Sequence, residues 1–522
     1  MAGLDRWLGA PKRFGAGWNK PPMGGLKAKV VRMRGSRWLG RVSGRFSGLG
    51  ASLGLATVLV LTVIGGKGAA AAPPFKHIIL VIQENRTPDN IFGSNPNFEL
   101  GVDIATSGVT SKGKAIALFA QPMVTCYDIS HTHKAFEAAL TEGFDKDTVI
   151  PSSGCKPPAD AEFAYVDNSS SEVQPYFDIA ENYGFANRMF QTNQGPSFAA
   201  HQFLFGGTST VSTESPLFMS ENPKEGHANS GCIAPSTQTE VVIDPYGNET
   251  SNPPIYPCVD HPTLSDALEA AHVSWRYYTP TAGSIWSAPD AISHICQPQT
   301  ERGGSLRCVG TDWTQHVVTQ NPAQVLTDVA NCDLQQVSWV IPTAEESDHA
   351  QVNQGMGPAW VASVVNAVGN QATCPDGENY WDDTAIIITW DDWGGWFDHV
   401  PPPAVNVLTQ GGQPVWGDGY TYGFRVPLMV VSAYTPPGLV DNTMHDFGSV
   451  LYFVERNFGL GFIGPGDTIY SQYADYQAAQ RGDTMSEFFP LSSPLAFTPI
   501  PSPLPPSFFL GRPKPTTGPD DD

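Results

Sequence analysis

Residues 385–399 read AIIITWDDWGGWFDH. The first five are apolar and largely β-branched without alternation, the pattern of a strand covered on both faces of a sheet. Two adjacent carboxylates, Asp391 and Asp392, close the run, followed by a glycine pair and Asp398-His399. Three more segments share the strand pattern: HIILVI (77–82), VSWVI (337–341) and VPLMVV (426–431). Helical periodicity lies between them, in HPTLSDALEAAH (261–272, with Thr263 as N-cap before Asp266), PAWVASVVNAVGN (358–370) and FGSVLYFVERNFG (447–459). The alternation predicts an α/β fold with a mostly parallel central sheet and helices on both faces.

In open α/β sheets ligands bind beyond the carboxyl ends of the strands. Glu84 and Asn85 follow the first strand, Ser347, Asp348 and His349 follow 337–341, and Asp391 and Asp392 follow 385–389. Two carboxylates about 4 Å apart repel by about 4 kcal/mol at an effective dielectric near 20. A divalent cation turns that cost into attraction, and carboxylate and carboxamide oxygens suit a hard or borderline ion. Glu84, Asn85, Asp391 and Asp392 are therefore candidate metal ligands. One polar strand end is ordinary, since Asp also caps turns; two acidic ends meeting favour a site.

A nucleophile is available in MFQTNQGPSFAAHQFLFGGTS (189–209). Gly195-Pro196 marks a loop and SFAAHQFLF begins a helix, so Ser197 sits where N–H groups and the helix dipole favour an anion. It can cap its own helix, or attack phosphorus as a metal-activated alkoxide. Ala199 stands where the lipase elbow G-x-S-x-G needs its last glycine. A hydrolase triad of Ser197 and His399 is thus the more distant option. His131, His133, His349 and His399 are the remaining acid–base candidates, with His349 favoured by its place just past a strand.

The chain has 522 residues, 41% hydrophobic and 11% aromatic, enough for a large core. Residues 1–50 carry eleven Lys/Arg and one acid, and GLGASLGLATVLVLTVIGG (48–66) precedes KGAAAAPP. Basic, apolar and Ala-x-Ala parts in that order predict a secretory signal region over 1–72, cleaved after Ala71; a retained anchor is the competing reading. Without it 17 basic residues face 50 acidic ones, a net charge of −33. Such a charge disfavours nucleic acid and anionic membranes as partners, with no stable membrane insertion after cleavage. Eight cysteines, none in C-x2-C spacing, predict disulfides in an oxidising compartment, paired between sequence neighbours: 126–155, 232–258, 296–308 and 332–374. The Gly-, Pro- and Ser-rich stretches 205–260 and 280–335 read as excursions that cap the site. The expected organisation is a main domain over 73–488 and a Pro-rich, disordered tail over 489–522. Oligomeric state is not readable.

At these residues the sequence resembles the phosphoesterase family that includes bacterial acid phosphatases and phosphatidylcholine-type phospholipases C. The resemblance spans roughly 75–460, through HIILVIQENRTPDNIFG, the SHTHKAF region, NQGPSFAAHQFLFGGTS, SDHAQVNQGMGPAWVASVVNAV and TWDDWGGWFDHVPPP with GFRVPLMVVSAYTPPG. It implies an alkaline phosphatase–sulfatase type of fold, Glu84, Asn85, Asp391 and Asp392 as metal ligands, Ser197 as nucleophile, and His131 and His349 at the phosphate. His201 and His399 are expected as substrate contacts. Ala199-Ala200-His201 stand where the family often has Pro-Asn-Arg, and Asp391-Asp392 where it often has Asp-Glu. Many family phospholipases carry long β-rich C-terminal extensions, whereas a Pro-rich tail follows here. The reading is then an exported, metal-dependent, acid-phosphatase-like hydrolase of phosphate esters, in the cell envelope or outside it, with the metal's identity open. The alternative substrate is a phospholipid headgroup diester, with Trp390, Trp393 and Trp396 available for cation–π contact. The alternative class is a secreted binding protein stabilised by calcium.

Overall fold

The computed structural model describes residues 74–515, apart from Glu214, 224–228, 245–246, Gln320, Ala372, 404–407, 411–412, 416–421 and 465–472. The expected signal region, with its apolar run, lies outside the described residues. Among these residues no helix is long and apolar enough to cross a membrane.

The centre is an eight-stranded sheet. Its strands are β1 (His77–Gln83), β2 (Gly184–Ala186), β3 (Trp275–Thr279), β4 (Val317–Thr319), β5 (Val337–Val340), β6 (Thr384–Trp390), β7 (Leu428–Ser432) and β8 (Leu439–Asp441). The order across the sheet is β4-β3-β5-β1-β6-β7-β2-β8. The five strands from β4 to β6 are parallel. β7 runs antiparallel to both neighbours, which corrects the expectation of a fourth parallel strand at 426–431. Its residues are buried throughout, and burial on both faces gives the same unalternating pattern in either direction. The reversal brings the residues entering β7 to the edge where β1 and β6 end.

The flanking helices form where the periodicity places them. α1 (Ser197–Gly206), α2 (Leu264–Ala270), α3 (Gly357–Asn370) and α4 (Phe447–Phe458) pack on the sheet or its excursions. α2 starts with a capping box between Thr263 and Asp266, and α4 with one between Asp446 and Ser449. All eight cysteines are oxidised in the neighbour pairing, Cys126–Cys155, Cys232–Cys258, Cys296–Cys308 and Cys332–Cys374. A small antiparallel sheet over Phe218–Met219, Glu240–Ile243 and Glu249–Ile255 forms the first excursion.

The tail departs from the expected disorder as far as residue 515. Leu495 N–H donates to Ala433 O (2.8 Å), Trp381 Nε1–H to Leu495 O (2.7 Å), and Asn366 exchanges two bonds with Ile500 (2.8 and 2.9 Å). Phe497 and Phe509 pack on Trp381 and Trp360, and Arg512 pairs with Glu345 and Glu346. Proline fixes an extended path, and the aromatic residues spaced along it find apolar surface.

Beyond β8 the buried His445 ring lies among Asp441 (3.0 Å), Asp483 (3.0 Å) and Glu487 (3.4 Å). Burial opposes its charge, but hydrogen bonds to Asp441 and Asp483 outweigh that and raise it to about 9. The folded value lies above the unfolded one, so this contribution is full below about pH 6.5 and is lost as pH rises through about 9. Urea unfolding at pH 6 and pH 10 should show a loss of about 2–3 kcal/mol in wild type that His445→Gln lacks. Equal pH dependence in both chains would reject the assignment.

Candidate active site

Strand register assembles the centre. Gln83 pairs with Trp390 at the ends of β1 and β6, and Asp391 N–H donates to Gln83 O (3.0 Å). Glu84-Asn85 and Asp391-Asp392 therefore leave the sheet side by side, all fully buried. Asn85 has a left-handed backbone (φ 61°), rare for a residue with a Cβ, and its N–H donates to Asp391 Oδ1 (3.0 Å). The glycine pair of the opening stretch makes room for it. A Cβ on Gly394, itself at φ 61°, would lie 2.3 Å from Asn85 O, and one on Gly395 would strike Ile129.

Ser197 is the first residue of α1. Pro196 is the N-cap and supplies no side-chain bond, so the serine does not cap its own helix. Its hydroxyl donates to Asp392 Oδ2 (3.2 Å), while Asp392 Oδ1 accepts from Gly394 N–H (2.7 Å). The next N–H of the helix, on Phe198, donates to Asn222 Oδ1 in the first excursion (3.0 Å). Sequence patterns gave no sign of Asn222, because it lies in a loop without periodicity.

The histidines divide by hydrogen bonding. His131 donates through Nδ1 to Ile129 O (2.8 Å), and its Nε2 accepts from Asn85 Nδ2 (2.9 Å). That fixes the Asn85 carboxamide with Oδ1 as its remaining acceptor. His349 donates through Nδ1 to Ala350 O (2.7 Å), and its ring centroid lies 6.1 Å from that of His131. His201 stands one turn after Ser197, with Nε2 at 3.1 Å from Glu84 Oε1 and 3.8 Å from Asp391 Oδ2. Its Nδ1 is buried with no hydrogen-bond partner among the described residues, so the proton belongs on Nε2 and the ring donates to Glu84. Burial lowers it to about 4 against the pull of Asp391. The ring expected as a substrate contact is turned to the carboxylates of Glu84 and Asp391.

His399 is not brought to this centre. Its Nδ1 lies 2.8 Å from Asp89 and its Nε2 3.0 Å from Asp103, so it serves a separate charge network instead of the expected substrate contact. In that network Asp398 receives Arg425 through N (2.8 Å), Nε (2.9 Å) and an η nitrogen (2.6 Å), both residues being buried. Trp390, the last residue of β6, and Trp393 and Trp396 in the loop after it are all buried. Trp390 donates to Asp348 (3.0 Å), Trp393 packs with Phe136 and Phe424, and Trp396 lies beneath Arg86.

The donor set fits a divalent cation. Glu84, His201 and Asp391 bring polar atoms within 4.8 Å of one another, the carboxylates as ligands and His201 as their hydrogen-bond donor. Asn85 Oδ1 and Asp391 Oδ2 are buried and accept no hydrogen bond among the described residues. Buried carboxylates in such number need a compensating charge, and the all-oxygen character of the remaining acceptors suits a hard or borderline ion.

Known proteins carry the same chain pattern. The sequence is 24% identical over 420 residues to a non-hemolytic phospholipase C of Pseudomonas aeruginosa, covering 74% of this chain and 54% of that protein. It is 34% identical over 145 residues to a non-hemolytic phospholipase C of Burkholderia pseudomallei, 25% of this chain and 20% of that one. Phospholipase C A of Mycobacterium tuberculosis is 28% identical over 213 residues, 38% and 39% of the two chains. The chain matches about half or less of the length of these relatives. A solved protein of the alkaline phosphatase superfamily from Vibrio parahaemolyticus overlaps with a TM-score of 0.34 at 7% identity over 76% of this chain and 69% of its own. The model of the phosphoesterase family matches residues 75–461, from the first residues before β1 to the end of α4, and the chain belongs to that family.

Proposed function

We propose that this chain is a metal-dependent phosphoric ester hydrolase that uses Ser197 as nucleophile and cleaves the headgroup diester of a phospholipid. The observation that carries the reading is the Ser197 hydroxyl, buried at a helix N-terminus and bonded to Asp392 within a carboxylate–carboxamide cluster. A divalent cation held by Glu84, Asn85, Asp391 and Asp392 would lower the hydroxyl's pKa and offset charge on the phosphoryl oxygens. His201 holds Glu84, and His131 holds the Asn85 carboxamide with its oxygen turned to the cluster. Ser197 attacks phosphorus as its hydroxyl proton passes to Asp392 Oδ2, its hydrogen-bond acceptor, and the alcohol departs with a proton from protonated His349 Nε2. Water then attacks the phosphoserine, giving a proton back to His349, while the proton on Asp392 returns to the leaving Ser197 oxygen.

The diester is favoured over the acid-phosphatase-like monoester by the excursion that leans on α1 through Asn222. It carries Glu221, Glu240 and Glu249: Glu221 accepts from His133 N–H (3.0 Å), Glu240 from Glu221 N–H (3.1 Å) and Glu249 from Ser220 Oγ–H (2.9 Å). Burial, and then the neighbouring Glu249, raise Glu221 to about 8, so only part of this acidity is charged near neutral pH; that part attracts a cationic headgroup and repels a dianionic monoester. The names of the relatives agree with this choice. Four disulfides support export to an oxidising compartment.

A panel of p-nitrophenyl phosphate, p-nitrophenyl phosphorylcholine, phosphatidylcholine vesicles and p-nitrophenyl acetate tests the reading, in chelated enzyme and after readdition of single metals. We expect metal-dependent turnover with the choline diesters ahead. Asp391→Asn should fold and bind metal at least ten-fold more weakly, since loss of even an outer partner of a metal site costs about 10–100-fold. Monoester turnover far ahead of both diesters would return the chain to the phosphatase reading. Full activity without metal would overturn the mechanism.

A further inference from the structure

Arg86 follows the candidate ligand pair Glu84-Asn85 and is 1% exposed. A buried guanidinium ordinarily pairs with a carboxylate in forked geometry. Here the hydrogen bonds go elsewhere. Nε donates to Asp348 O (2.8 Å), one η nitrogen to Asn90 Oδ1 (3.1 Å) and the other to Met123 O (3.2 Å). The group also lies 4.8 Å from the centroid of Trp396, in the loop after β6. Asp348 Oδ2 accepts from Tyr176 Oη–H (2.8 Å) and Trp390 Nε1–H (3.0 Å).

These contacts converge on His349. Asp348 O is the carbonyl of the peptide that enters His349, and Arg86 holds it directly. On the other side, Asn353 Nδ2 donates to His349 O (2.6 Å) and to Met123 O (3.2 Å), the same carbonyl that Arg86 reaches. The two carbonyls flanking the His349 side chain are thus tied to one guanidinium, one directly and one through Met123 and Asn353. The residue that emits this side chain is itself peptide-bonded to Asn85.

We infer that Arg86 is a positioning residue that fixes His349 relative to the Glu84–Asn85 crest, so that the proton donor and the cation cradle keep one separation. A lysine retains the charge but offers one short-range donor group where three directions are used. The inference rests on the proposed role of His349, and the experiment separates the two.

Arg86→Lys, Asn353→Ala and His349→Asn are made singly, and the first two are combined with the third. Turnover of p-nitrophenyl phosphorylcholine and p-nitrophenyl phosphate is measured, with circular dichroism and metal content on each chain. We expect His349→Asn to lower kcat at least 100-fold. Arg86→Lys should lower it about 30-fold with KM changed less than three-fold, and either second change should cost less than three-fold in the His349→Asn background, the non-additivity of groups acting as a unit. A merely structural Arg86 would lower turnover by the same factor in both backgrounds, and that result overturns the inference. If His349→Asn leaves kcat intact, the role of His349 fails first and the inference falls with it. If Arg86→Lys does not fold, Asn353→Ala, on the far side of the bracket, decides by the same comparison.

Discussion

Ser197→Ala should lower kcat by roughly 10³-fold or more, about 4 kcal/mol of transition-state stabilisation, and leave the far-UV spectrum and metal content nearly unchanged. The fold survives because the hydroxyl caps nothing: Pro196 is the N-cap of α1, and the Ser197 side chain bonds only forward to Asp392 among the contacts described. Metal content should survive because the proposed ligands Glu84, Asn85, Asp391 and Asp392 are untouched. On the proposed mechanism, what is lost is the oxygen that attacks phosphorus. Vanadate, which takes up the five-coordinate geometry of the reacting phosphorus, should inhibit wild type and bind the variant more weakly. Near-normal turnover in Ser197→Ala would mean that water attacks directly and that the hydroxyl serves only as a donor to Asp392.

Arg425→Met should cost about 3–5 kcal/mol of stability, the usual penalty for stripping one partner from a buried ion pair. The side chain is fully buried, bonds Asp398 through Nε and an η nitrogen, and also donates to Asp103 O and Asn187 O (both 3.0 Å). Removing it leaves Asp398 as buried charge without its cation, while Asp89 keeps His399 (2.8 Å). Adding Asp398→Asn to the same chain should restore part of the loss, because the desolvated charge goes with it. Urea unfolding of the three chains measures this, and a loss below 1 kcal/mol in the single variant would show that solvent reaches the network.

The parallel core of the sheet was legible because burial on both faces leaves runs such as HIILVI and AIIIT without polar breaks. Strands Gly184–Ala186, Val317–Thr319 and Leu439–Asp441 were not, being three residues each and too short to carry a period. WRYYT hid behind its arginine, which reaches Asp328 from a strand whose other residues are buried. Glu84, Asn85, Asp391 and Asp392 could be placed together because strand ends share an edge and the parallel order fixes which edge. The division of labour among histidines could not, since it depends on which carbonyl each Nδ1 meets. His201 did carry a signal: four residues after Ser197 on one helix is the same face, and Glu84 lies along it. Arg86 and Arg425 gave none, because a lone arginine beside a strand reads as surface until its burial is known.

The position of β1 in the sheet has a consequence for how the chain is made. Among the described strands it is the first to emerge, and it lies in the middle of the sheet, between β5 and β6. Its partners begin at Val337 and Thr384, so no segment translated in the meantime can complete its pairing. At roughly 5–20 residues per second the wait is about 15–60 s. The newborn chain therefore stays threadable over most of its length, and whatever holds it in that interval must shield one of its most apolar segments, HIILVI, from other copies of itself.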